Sequence, residues 1–138
     1  MLDLFAGTGA MGIEALSRGA SSALFVDSAP HAVTVFRQNL QRTKLAERAA
    51  VRRQDALAAL RRGLGSFDLV ILDPPYLAPQ AYLDEVLVEI AGQGAAAAGS
   101  TVVLTRSGRS YIPVIPVNWQ LARRLSYGDS VVLLFQTP

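Results

Sequence analysis

Short apolar runs rich in β-branched residues alternate with helical stretches along the 138-residue chain, the pattern of a mostly parallel sheet covered on both faces. Seven strands are predicted. Leu2 to Phe5 reads as the end of a first strand, leading through Gly7-Thr8-Gly9 into a helix from about Ala10 to Arg18 that Gly19 closes. Ala23 to Asp27 is the second strand. A helix from about Pro30 to Lys44 follows, with proline in its first turn and Val33, Phe36 and Leu40 on the face that packs on the sheet. Ala50 to Arg53 is a weak third strand and Ala56 to Arg62 a short helix. Phe67 to Leu72 is a strong fourth strand, whose apolar run predicts burial on both faces and a central place in the sheet. Tyr82 to Ala91 carries a helical stripe (Leu83, Val86, Leu87, Ile90), Gln93 to Ser100 reads as a loop, and Thr101 to Thr105 as the fifth strand. The tail differs. Trp119 to Tyr127 and Ser130 to Gln136 flank Gly128-Asp129 closely enough to form an antiparallel hairpin, with Trp119 in its core.

Composition narrows the class. A hydrophobic content of 51% supports one core, so one domain over residues 1–138 without a linker is expected. Absence of cysteine excludes disulfides and thiolate metal sites, and a single histidine, His31, excludes a histidine-rich metal cluster. His31, near a helix start, reads as a solvated or capping residue. No basic leader or long uncharged apolar run is present, so a cytoplasmic protein with no membrane partner and no metal is expected. Arginine supplies twelve of the 13 basic residues, but 11 acidic ones leave a net charge of +2, which permits nucleic-acid binding without showing it.

Gly7-Thr8-Gly9-Ala10-Met11-Gly12 is a G-x-G-x-x-G run after a strand and opening a helix, where backbone approaches a nucleotide-like ligand closely. Asp27, at the end of the second strand, is placed to accept hydrogen bonds from ribose hydroxyls. An NAD-binding fold would show the same features, and a ligand-free tight turn would show the glycines. Asp73-Pro74-Pro75-Tyr76 breaks the tie, because it follows the fourth strand at the carboxyl edge of the sheet. Two prolines fix two φ angles and remove two donors, leaving the Pro74 carbonyl as an acceptor beside the Asp73 carboxylate. Together they would bind both N–H groups of an exocyclic amine, drawing its lone pair out of conjugation and aiming it at a methyl group. Tyr76 would stack on the base. Without a ligand, the same run would be a proline turn capped by Asp73.

In this order and spacing the two runs resemble those of amino-group methyltransferases. The likeness goes further. Residues Leu2 to Ala20, Asp73-Pro74-Pro75-Tyr76, Pro116-Val117-Asn118-Trp119 and Tyr127-Gly128-Asp129 resemble the 16S rRNA guanine-N2 methyltransferase family, RsmD-like, over nearly the whole chain. The resemblance implies the Rossmann-like, class I S-adenosylmethionine-dependent methyltransferase fold, an α/β architecture with a seven-stranded mostly parallel sheet and a C-terminal antiparallel hairpin. It also implies S-adenosyl-L-methionine as cofactor and methyl transfer to the exocyclic N2 amine of a guanine in 16S rRNA or the small ribosomal subunit; a monomer is expected. Asp3, Gly7 and Gly9 would then shape the methionine end of the cofactor site, Asp27 would hold the ribose and Asp55 would sit near the adenine amino group, with Phe5, Ala6, Thr8, Ser28 and Ala56 also binding the cofactor. Asp73 to Tyr76 would carry the target base.

Two departures stand out. Family members have some tens of residues before the glycine run, whereas this sequence starts inside its first strand with a charged amino group near the core, so an N-terminally truncated form is expected. At Thr105-Arg106 the family often has an acidic residue. Among the paired arginines Arg52-Arg53, Arg61-Arg62 and Arg123-Arg124, and the singles Arg106 and Arg109, the last two follow the fifth strand on the active edge and are the candidates for RNA phosphates. Alternatives are an N6-adenine DNA methyltransferase, a module that binds cofactor without turnover, and a nicotinamide oxidoreductase, which Asp73-Pro74-Pro75-Tyr76 disfavours for lack of a hydride-transfer partner.

Overall fold

The structure is a computed structural model describing residues 1–7 and 9–138. Its elements in chain order are β1 (Leu2–Asp3), α1 (Ala10–Ser17), β2 (Ala23–Asp27), α2 (Pro30–Thr43), a 3-10 turn (Ala46–Arg48), β3 (Ala49–Arg53), α3 (Ala56–Arg62), β4 (Phe67–Leu72), α4 (Gln80–Gly92), β5 (Ala96–Ser107), β6 (Gln120–Tyr127) and β7 (Ser130–Gln136). The seven strands form one sheet in the order β3-β2-β1-β4-β5-β7-β6. The first five pair in parallel, and β7 and β6 add antiparallel.

β4 is the middle strand, as its composition predicts, with Val70, Ile71 and Leu72 buried. The order reverses between β1 and β4, which opens a crevice above their carboxyl ends, where ligands of such sheets bind. β1 is shorter than expected, ending at Asp3 because Leu4 and Phe5 already turn; the amide of Leu4 still reaches the carbonyl of Ile71 at 3.1 Å. The α-amino group of Met1 bonds the Ser22 carbonyl at 2.8 Å.

Alternation along β2 sorts the core into two layers. Ala23 and Phe25 join Leu16, Phe36 and Leu40 under α1 and α2, whereas Leu24 and Val26 join the larger cluster under α3 and α4. Trp119 is buried in that larger cluster, its ring 6.3 Å from Phe135, so it is core of the terminal hairpin region. Helix α2 buries Val33, Phe36 and Leu40 as expected, and Lys44 ends it in a left-handed turn. Helix α4 begins at Gln80, two residues ahead of expectation, because Pro79 supplies an extended N-cap.

One expectation fails at Gln93–Ser100. Residues 96–100 belong to β5, although alanine is a poor strand former. Backbone pairing overrides propensity: the amide of Phe67 bonds the Ala95 carbonyl at 2.8 Å, that of Gly99 the Pro138 carbonyl at 2.8 Å, and that of Thr137 the Ser100 carbonyl at 3.0 Å. Gly99, at φ 71°, takes up the register shift opposite Phe67–Leu69.

Candidate active site

The glycine loop leaves β1 at the crevice and doubles back over the carboxyl end of β2. The Asp27 carboxylate fixes that path, Oδ2 accepting from the Gly7 amide at 2.8 Å and Oδ1 from the Ala29 amide at 2.9 Å. A carboxylate has about four acceptor positions, so both oxygens keep capacity for further donors. Gly7 turns at φ 55° with open space where a side chain would project. Gly9 and Gly12 serve packing instead: a Cβ on Gly9 would fall within the Phe36 ring, and one on Gly12 would meet the Phe25 ring. Gly9 therefore holds α1 against the sheet, and it is not among the cavity-lining residues. Thr8, expected in the cofactor loop, lies outside the described residues.

Three cavities meet at Asp73. The largest, about 530 Å³, is lined by Phe5, Gly7, Asp27, Ser28, Asp55 and Ala56, together with Asp73 and Pro75. A second, about 280 Å³, lies between Asp3, Phe5, Ala6, Gly7, Met11 and Asp73. The third, about 340 Å³, is walled by Asp73, Pro74, Pro75, Tyr76, Thr105, Arg106 and Ser130. The predicted cofactor residues other than Thr8 and Gly9 thus gather around two joined spaces, and the predicted catalytic run separates these from the third.

Electrostatics follow from burial. Asp3 is 2% exposed, and its Oδ1 has no partner among the described residues. Desolvation, opposed by the Phe5 amide and reinforced by the charges of Asp73 and Asp27, pushes its carboxyl up to about 7. Asp73 opens to the cavities but sits among low-dielectric walls, and desolvation raises its carboxyl above the usual range against the pull of Arg106. Neither the Asp73 carboxylate nor the Pro74 carbonyl accepts a hydrogen bond from the described residues. The turn is instead held through Pro75, whose carbonyl accepts from the Ala78 amide at 3.1 Å and from Arg106 Nη1 at 3.2 Å.

Two residues depart from expectation. Arg106 does not stand on the surface for RNA phosphates; it is 2% exposed, because the inward side of β5 carries it beneath the Asp-Pro-Pro-Tyr turn, with Tyr111 stacked 5.1 Å from its guanidinium carbon. Arg109, two residues beyond the end of β5, is exposed. Tyr82 carries no sequence signal beyond its place on α4, yet it lines the large cavity and donates to Asp55 Oδ1 at 2.5 Å. Asp55 also caps α3 by accepting from the Ala58 amide at 3.0 Å. Arg61, one of the paired arginines, is engaged by Glu85 at 3.2 Å and Glu89 at 3.6 Å. His31 is exposed on α2.

A parallel sheet reversing at β1 and β4, a glycine loop over its carboxyl edge, and an Asp-Pro-Pro-Tyr turn where three cavities meet define a class I methyltransferase fold. The family model described as "Conserved hypothetical protein 95" matches residues 1–136, and the chain belongs to that RsmD-like family. It is 30% identical over 135 residues to ribosomal RNA small subunit methyltransferase D of Escherichia coli, covering 98% of this chain and 67% of that one. Among solved structures, the yhhF protein of Escherichia coli superposes with a TM-score of 0.89 at 29% identity, over 99% of this chain and 75% of that one. An RNA methyltransferase from Salinibacter ruber in complex with S-adenosyl-L-homocysteine shares the fold at 19% identity, with a TM-score of 0.76 over 99% of this chain and 79% of that one. The chain spans two thirds of the length of the first relative, and 42% of the YlbH protein of Bacillus subtilis, to which it is 47% identical over 79 residues. Among the described residues no helix is long and apolar enough to cross a membrane.

Proposed function

We propose that this chain carries the catalytic part of an S-adenosylmethionine-dependent methyltransferase acting on the exocyclic N2 amine of a guanine in small-subunit rRNA. The observation that carries the reading is Asp73, an uncommitted carboxylate shared by the cavities expected to hold cofactor and the cavity expected to hold the base. The residues fit the cofactor: Asp27 keeps acceptor capacity for ribose hydroxyls, Asp55 and Ala56 border the space for adenine, and the orphaned Asp3 Oδ1 suits an ammonium group. Bound S-adenosylmethionine supplies an electrophilic methyl group and leaves as a neutral thioether, so no metal or covalent enzyme intermediate is required.

The chain's own part is positioning. Asp73 and the Pro74 carbonyl would accept the two amine N–H groups, turn the nitrogen lone pair toward the cofactor space, and stabilise the positive charge that develops on the amine. The surplus proton then leaves to Asp73 or water. Tyr76, 69% exposed, offers its ring as a platform for a base flipped or already unpaired. Arg109, exposed two residues beyond β5, would meet phosphate outside the pocket. The family resemblance is what supports the small-subunit target and the cytoplasmic setting in this reading.

Transfer of labelled methyl to small ribosomal subunits lacking the modification, followed by nucleoside digestion, tests this reading. Labelled N2-methylguanosine that disappears with Asp73→Ala supports it. Label in duplex DNA as N6-methyladenine, or cofactor binding without transfer to any substrate, refutes it.

A further inference from the structure

Arg106 is held more elaborately than a wall residue needs. It is 2% exposed, its Nη1 is committed to the Pro75 carbonyl, and Tyr111, itself anchored by a 2.9 Å hydrogen bond to the Ala78 carbonyl, lies against it. Among the described residues its Nε and Nη2 nevertheless have no partner, and neither has Thr105 Oγ1 in the same wall. Unpaired N–H groups on a buried cation are costly, so natural folds keep them where a ligand completes them. Nε and Nη2 form one edge of the guanidinium, two parallel donors in the geometry that grips a pair of neighbouring acceptors. Arg106 itself is part of the wall of the cavity of about 340 Å³, together with Asp73, Pro74 and Tyr76.

We propose that Arg106 is a specificity-determining residue, its Nε–H and Nη2–H reading the O6 and N7 acceptors of a flipped guanine whose amine is held by Asp73 and Pro74. The inference rests on the guanine-methylation reading above. Guanine alone presents two adjacent acceptors on that edge; adenine offers N7 beside an amino donor, which would meet the guanidinium donor to donor, and pyrimidines lack N7. A phosphate would satisfy the same fork, but the nucleotide's phosphates stay outside while its base enters, and a residue this buried cannot follow them. The uncommitted Thr105 hydroxyl adjusts to either donor or acceptor on the base.

Two measurements test it. Arg106→Met is expected to lower kcat/KM for small ribosomal subunits about 5- to 150-fold, the range for losing one bidentate base contact, while S-adenosylmethionine affinity changes less than twofold. Arg106→Lys, which keeps the charge but not the fork, should recover only part of that loss. Because a merely structural arginine could lower the rate too, the Arg106 Nε–H proton resonance is followed in wild type with S-adenosylhomocysteine, assigned by its absence in Arg106→Lys. Guanosine monophosphate should move it downfield, and 2-aminopurine ribonucleotide, which keeps the 2-amine and lacks O6, should not. Wild-type transfer by Arg106→Met, or an equal shift with both nucleotides, overturns the proposal. N2-methylguanosine formation without any guanosine-monophosphate shift defeats the Arg106 assignment alone. A shift specific to guanosine monophosphate without transfer to any RNA defeats the substrate reading and leaves Arg106 as a guanine-binding residue.

Discussion

The hydroxyl of Tyr82, on α4, donates to the carboxylate of Asp55, which caps α3, so a helix from one part of the chain locks the acid that borders the large cavity. Burial and the hydrogen bond to Asp55 push the Tyr82 phenol up to about 12, which keeps it a donor at any working pH. Tyr82→Phe should cost about 1 kcal/mol in urea unfolding, less than a fully buried charged hydrogen bond because Asp55 is exposed. Calorimetry should show S-adenosylmethionine binding weakened about threefold or more, since Asp55 is freed to move.

Asp73→Ala should lower transfer about 100- to 1,000-fold with cofactor affinity little changed, the range for losing one preorganised acceptor at developing charge. Asp73→Asn keeps a carbonyl acceptor and should retain more activity than alanine. The raised Asp73 carboxyl makes wild-type transfer rise with pH as it ionises, and the asparagine variant should lose that limb. Single-turnover rates across pH check both.

Asp3 predicts opposite trends for stability and binding. Its carboxyl is raised to about 7 in the fold against an ordinary value near 3.8, so the folded state holds the proton that the unfolded chain releases. The associated stability is fully present below pH 3.8 and is lost as pH rises through about 7. Thermal unfolding of the ligand-free protein should therefore show Asp3→Asn gaining on wild type between pH 5 and 8. An ammonium group of the cofactor favours the ionised form, so wild-type affinity should tighten through the same interval, and the asparagine variant should bind more weakly with a flat profile.

Gly9→Ala should be the most damaging change in the glycine loop. It combines a left-handed backbone at φ 83° with a methyl group inside the space of Phe36, which together should cost about 2 to 4 kcal/mol. Gly7→Ala meets nothing in the fold and should cost about 1 kcal/mol from its positive φ. Urea unfolding checks the order of the two, and Phe36→Leu should restore part of the loss in Gly9→Ala.

The sheet, its hairpin and the two glycine-and-proline runs were legible because they obey local rules: β-branched runs for strands, Pro30 at a helix start, and Gly128-Asp129 between two short apolar segments. Residues 96–100 were not, because alanines become a strand here only through bonds to Phe67, Thr137 and Pro138, partners far away in sequence. Arg106 and Tyr82 escaped for a related reason. An arginine after a strand reads as surface unless the turn that roofs it is known, and nothing local tells that Tyr82 reaches Asp55. The glycines were read as ligand-facing as a group, whereas the structure divides them, Gly7 toward the cavities and Gly9 and Gly12 toward aromatic rings.

Strand β7 lies between β5 and β6, so the sheet is closed from its interior by residues 130–136, and Ser130 contributes to the wall beside Arg106. Residues 130–136 follow every other strand in the chain, so this wall is the last part of the sheet that synthesis supplies. Until these late residues insert, β5 exposes an open edge and Arg106 has no finished pocket around it. Synthesis thus delivers every residue around the larger cavity before Ser130, the residue that completes the wall beside Arg106.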